Sequence, residues 1–181
     1  MAFAVYEPSW IRILIWELSH CVRIDVFLLK KEKNMNLRFD YARAYPAALQ
    51  AMLSLEEFTK SGGIDSKLRE LVKIRASQIN GCAFCLYMHT KDARSEGEEE
   101  KRIYLLNSWK ESPYYTEKER AALEVTEYVT KISQEGLPDH VYENARAYFD
   151  EKEFVALIML INTINSWNRI AITTGKQAPL A

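Results

Sequence analysis

Glu70-Leu-Val-Lys-Ile-Arg-Ala-Ser-Gln-Ile-Asn-Gly-Cys82-Ala-Phe-Cys85-Leu-Tyr-Met-His89 is the stretch around which the rest of the chain falls into place. Leu68, Leu71, Val72, Ala76 and Ile79 recur at helical intervals through its first half, and Asp65 stands where an N-cap belongs. Asn80-Gly81 then interrupts the pattern directly before the first cysteine, since Gly enters a left-handed turn without steric cost. A second helix beginning after Gly81 puts Cys82, Cys85 and His89 on one face, because their spacing is close to one and two turns. The expectation is two helices joined by a tight break, with both sulfurs at the start of the second.

Working outward, the same helical language continues. Pro46 suits a first turn, and Leu49, Met52, Leu53 and Phe58 follow it until Gly62-Gly63. The helix carrying the cysteines runs through Met88 and Ala93 toward Gly97, and a short helix is expected over 98–106. Thr116 forms a capping box with Glu119, opening a helix that Leu123, Tyr128, Val129 and Ile132 carry to Gly136. Pro138 starts another through Tyr142 and Tyr148. The last helix, 153 to about 172, is the most apolar and is expected to lie centrally. Met52, Met88 and the Tyr114-Tyr115 pair are read as packing or rim residues.

Only six Gly and five Pro punctuate 181 residues, and no alternation of strands and helices supports a parallel sheet. The expected fold is therefore all-α: a single compact helical domain of about six to seven helices over 35–181. Residues 1–34 differ in texture, mixing Trp, Ile, Val and Leu with the basic patch Lys30-Lys31-Glu32-Lys33, and are read as an N-terminal extension.

A net charge of −1, from 24 basic and 25 acidic residues, offers no field to recruit nucleic acid or an anionic membrane. The longest apolar run, 154–161, is far short of the roughly 20 residues a membrane span needs. Glu7, Arg12, Glu17, Arg23 and Asp25 break up the signal-like segment around Trp10 and Trp16, so no export signal is read. Three cysteines, two of them in a CxxC, do not resemble a secreted disulfide scaffold, and a reducing, cytoplasmic setting is expected.

The chemistry follows from what a thiol needs. The thiolate is the nucleophile, and a free cysteine near pKa 8.5 is mostly protonated at neutral pH. A helix N-terminus favours the anion at Cys82, while His89, one turn past Cys85, can take or share a proton there. A sulfur that attacks a peroxide becomes a sulfenic acid, and a second thiol within one turn condenses with it to a disulfide. Glu70, on the preceding helix, is a candidate proton acceptor acting through water.

Each element alone has a plainer reading. Glu70 lies between Lys67 and Lys73 at helical spacing, the usual mark of a solvated surface pair. Cys82, Cys85 and His89 also supply three zinc ligand types, with His20, Cys21 or His140 for a fourth. The alternative function is thus a non-catalytic helical oligomer whose CxxC binds zinc or forms a structural disulfide. A second CxxC or close His pair is missing, and the βαβ setting of a thioredoxin-like motif is absent.

The order and spacing of Glu70, Cys82, Cys85 and His89, with Asn80-Gly81 before the pair, resemble the alkylhydroperoxidase D family of the carboxymuconolactone decarboxylase-like superfamily. The segment Ile164-Asn-Ser-Trp-Asn-Arg-Ile170 is similar to that family's final core helix. The resemblance implies a peroxidase that reduces organic hydroperoxides through the cysteine pair, regenerated by an external dithiol or thiol-protein reductant, with no metal or flavin cofactor. It also implies a homo-oligomer, trimer or hexamer. By carry-over Cys85 attacks, Cys82 resolves, and His89 with Glu70 forms a water-assisted proton relay. Ala83-Phe84 stands where the best-known members carry a histidine between the cysteines. The decarboxylase branch lacks the cysteine pair, so lactone decarboxylation is not expected.

Overall fold

Local rules set most helix ends. The computed structural model describes residues 37–179, and the expected 1–34 extension lies outside them. Among the described residues there is no strand, as anticipated. The α-helices are α1 (Tyr41–Ala44), α2 (Pro46–Ser61), α3 (Ser66–Asn80), α4 (Ala83–Ser95), α5 (Glu100–Leu105), α6 (Glu117–Thr130), α7 (Ile132–Glu135), α8 (Asp139–Arg146) and α9 (Glu151–Thr174), with a 3-10 helix over Leu106–Glu111. Asp65 caps α3, its carboxylate accepting from the Lys67 and Leu68 amides. Reciprocal capping boxes open α6, through Thr116 and Glu119, and α9, through Asp150 and Glu153.

Two features depart from the sequence reading. The helix expected to run to Gly136 stops at Lys131, and Ile132 is exposed on the separate turn α7. The periodic pattern crosses a break that no Gly or Pro announces. The single turn α1 and the 3-10 helix are also additional, each too short to show a full apolar period.

Helix α9 is the spine of the core. Leu157, Leu160, Ile161 and Phe154 pack with Leu68 and Val72 of α3, Val125 of α6 and Val141 of α8. Leu71 and Ile74 join a second cluster with Leu123, Leu106 and Trp109. At 24 residues α9 is long and apolar enough to cross a membrane, but half of its most apolar window is buried inside the fold, as befits a core helix. A third cluster sets both cysteines against Ala76, Ile164 and Ala171. That arrangement sandwiches the start of α4 between α3 and the far end of α9.

Candidate functional site

The break between α3 and α4 builds the site. Gly81 takes φ 68° and ψ 33°, the left-handed C-cap that the Asn-Gly pair anticipates. Asn80 donates to the amide oxygens of Asn165 and Asn168, both at 2.9 Å, and Asn168 donates in turn to Ser77 Oγ at 3.0 Å. The turn ahead of Cys82 is thus tied to α9 by half-buried hydrogen bonds. Cys82 is the N-cap of α4, its sulfur accepting from the Cys85 amide at 3.4 Å.

Cys82 and Cys85 are joined as a disulfide, with Cα atoms 5.4 Å apart. Their surroundings differ: Cys85 lines a cavity of about 460 Å³, whereas Cys82 is sealed behind it and is not part of the lining. Glu70 and His89 line the same cavity. Apolar side chains from α2, α4 and α9 form much of the remaining wall, including Leu53, Phe84, Met88 and Trp167. Met88 is a rim residue, as read from sequence.

Glu70 is only 5 % exposed, which removes the solvated-pair reading of that residue. Its Oε2 lies 2.8 Å from His89 Nδ1. Its Oε1 lies 3.4 Å from the buried Lys73 Nζ and 3.9 Å from Arg69 Nε. Burial alone would raise the Glu70 carboxyl, but the hydrogen bond from His89 and the charge of Lys73 outweigh it and hold the group below the usual carboxylate range. An ionised carboxylate only accepts, so Nδ1 carries the imidazole proton and Nε2 is the basic nitrogen. No described residue hydrogen-bonds Nε2, which leaves it available at the cavity.

All four residues singled out from the sequence therefore come together, and two more join them. Lys73 Nζ is 2.5 Å from Glu56 Oε1, and Glu56 Oε2 accepts from Trp167 Nε1 at 3.1 Å. Lys73 was visible as a helical neighbour of Glu70, but its burial was not. Glu56 had no local signal at all, being held through the tertiary packing of α2.

The zinc reading finds little support in this geometry. The two sulfurs are spent on each other, His140 is exposed on α8, and His20 and Cys21 lie outside the described residues. Glu70, His89 and Asp92 present ligand atoms within 4.8 Å of one another. The Lys73 ammonium against Glu70 opposes a cation there.

The model of the carboxymuconolactone decarboxylase family matches residues 45–128. The uncharacterized protein YdfG of Bacillus subtilis (strain 168) is 46 % identical over 144 residues, spanning 80 % of this chain and 98 % of its own. A crystal structure of a protein of unknown function from Agrobacterium tumefaciens, ascribed to AhpD-type antioxidant defence, superposes with a TM-score of 0.79 at 44 % identity, over 81 % of this chain and all of that one. The AhpD core of an uncharacterized peroxidase-related protein from Ralstonia eutropha JMP134 gives a TM-score of 0.68 at 20 % identity, over 98 % and 91 % of the two chains, a likeness of fold. Relatedness along nearly the whole of YdfG, the family match across the helices that build the site and the shared architecture place this chain in the alkylhydroperoxidase D-like group of the carboxymuconolactone decarboxylase family.

Proposed function

We propose that the protein is a thiol-dependent peroxidase that reduces organic hydroperoxides through Cys82 and Cys85 and is regenerated by an external dithiol. One observation carries the reading: Cys85 faces a cavity beside a histidine whose far nitrogen is held by a buried carboxylate, while its bonding partner Cys82 is sealed behind it. The AhpD association of the Agrobacterium structure lends it support.

In this reading His89 Nε2 takes the Cys85 thiol proton, and the Glu70 carboxylate stabilises the imidazolium through Nδ1. The Cys85 thiolate attacks the terminal oxygen of ROOH, and the O–O bond breaks. The alkoxide leaves as ROH with the proton returned from His89, and Cys85 becomes a sulfenic acid. Cys82 then attacks that sulfur, water departs, and the disulfide forms. A dithiol reverses the bridge by two exchange steps and is itself oxidised. Glu70 needs no proton of its own, which agrees with its low position on the acidity scale.

The cavity volume suits a molecule with an organic substituent better than hydrogen peroxide alone. The test is the Cys85→Ser variant, in which hydroperoxide-driven oxidation of a dithiol should fall to background. Undiminished turnover removes the proposal. Titration of thiols before and after one equivalent of cumene hydroperoxide should show the loss of two per reduced chain. Near-stoichiometric zinc in the purified protein, with no thiol loss, would install the structural alternative instead.

A further inference from the structure

Lys73 is a buried charge at the cavity that the mechanism above leaves without a task. It sits on α3 one turn from Glu70, is 3 % exposed, and bridges two carboxylates: Glu56 Oε1 at 2.5 Å and Glu70 Oε1 at 3.4 Å. Burying an ammonium is costly unless it is paired, and this one is paired on both sides. Glu56 is in turn fixed by Trp167 of α9. The chain of contacts runs from Trp167 through Glu56 and Lys73 to Glu70, and through His89 to the wall that holds Cys85.

We propose that Lys73 is a positioning residue that offsets the Glu70 carboxylate and thereby sets how readily the Cys85 sulfur carries negative charge. This rests on the thiol chemistry proposed for Cys85. Glu70 uses separate oxygens for its two neighbours, Oε2 for His89 and Oε1 for Lys73. With Lys73 in place the carboxylate is fixed in orientation and partly neutralised. Without it, Glu56 and Glu70 line the cavity they share with Cys85 with one cation fewer, and charge repulsion disfavours a thiolate.

The other charges facing this group are few and differently arranged. From α3 itself, Arg69 approaches Glu70 Oε1 only to 3.9 Å, beyond a hydrogen bond. From α4, Asp92 comes within 3.9 Å of His89 Nδ1 but is exposed, so water screens it. Farther along the cavity wall, Lys60 pairs with Glu57, Glu96 is exposed, and Lys176 lies over the Phe84 ring at 4.4 Å. None of these can replace a buried ammonium held between two carboxylates.

The experiment is the rate of Cys85 alkylation by iodoacetamide in the reduced full chain, followed by peptide mass spectrometry across pH. Lys73→Met should slow alkylation at pH 7 about tenfold, the effect of roughly one pH unit, and move the midpoint of the pH–rate curve upward. Lys73→Arg should restore most of the rate. Glu56→Gln, which removes a negative charge and keeps the shape, should move the midpoint the opposite way and speed alkylation; it decides the matter should Lys73→Met not fold. Unchanged midpoints in Lys73→Met, an Arg variant as slow as Met, or a slower Glu56→Gln would each overturn the proposal. Alkylation does not depend on peroxide turnover, so a wild type inert toward hydroperoxides sinks the peroxidase reading while these rates still judge Lys73.

Discussion

Among the described residues, two clusters of acids and bases are put together for different ends. In one, Glu70 joins His89 and Lys73 at the edge of the cavity. In the other, Arg102 of α5 is gripped by Glu98 and Glu119, its guanidinium also donating to the Tyr114 carbonyl. Its Nε lies 2.8 Å from Glu98 Oε1, an ion pair whose angle is too poor for a hydrogen bond. Burial, with the charges of Glu98 and Glu119 adding to it and Arg102 opposing, pushes the Tyr115 hydroxyl up to about 12. The Arg102 cluster spends its groups on one another and on the capping box of α6. The Glu70 cluster leaves one basic nitrogen without a hydrogen bond, on a cavity that Cys85 also lines. Buried charge is common to both, and it is the basic nitrogen on a cavity shared with a cysteine that distinguishes a site from a brace.

Replacing the acid on each side sharpens that contrast. Glu70→Gln keeps the shape but loses the charge that holds the His89 tautomer, and hydroperoxide turnover should fall on the order of 10²-fold, measured as kcat/KM for the peroxide. The same variant carries a pH signature. The Glu70 carboxyl titrates below its ordinary value of 4.5 in the folded chain, so its contribution to stability is complete above that value and is lost as pH falls through the lower folded one. The gap in urea midpoint between wild type and variant should close only on that acidic side. A gap that closed on going to alkaline pH would mean that Glu70 is not held as its partners imply.

Arg102→Met should do the reverse, leaving turnover of the folded protein intact while stranding two carboxylates. Because the side chain is partly exposed, the loss is put at about 2 kcal/mol, below the range for fully buried pairs, read from urea denaturation. Smaller still, Thr116→Ala deletes the α6 cap that Glu119 shares with Arg102 and should cost about 1 kcal/mol by the same measurement. A drop in kcat from either change would erase the distinction between the two clusters.

Helix ends were legible where a residue acts alone. Asp65, Gly81, Thr116 with Glu119, and Pro138 each mark a boundary by local backbone chemistry, and each boundary is where the chain has it. Lys131 is not legible in that way, because a helix that ends by tertiary geometry leaves an ordinary residue at the break. Within the site, the spacing of the cysteines and His89 was readable since all three share a helix. The approach of Glu70 depended on how α3 folds back at Gly81, and the approach of Glu56 and Trp167 on packing across separations of 17 and 111 residues. Periodicity carries no record of such distant contacts.

Helix α2 has consequences for what the cavity can admit. Of its 16 residues only Thr59 is fully buried, and Glu56 supplies its polar attachment to α3 and α9. A wall with so few apolar anchors opens at a lower free energy than the spine it leans on. The resting dimensions of the chamber are therefore a floor on the largest guest it can hold, and α2, not the helix that begins at the two sulfurs, is the segment expected to yield to a bulkier one.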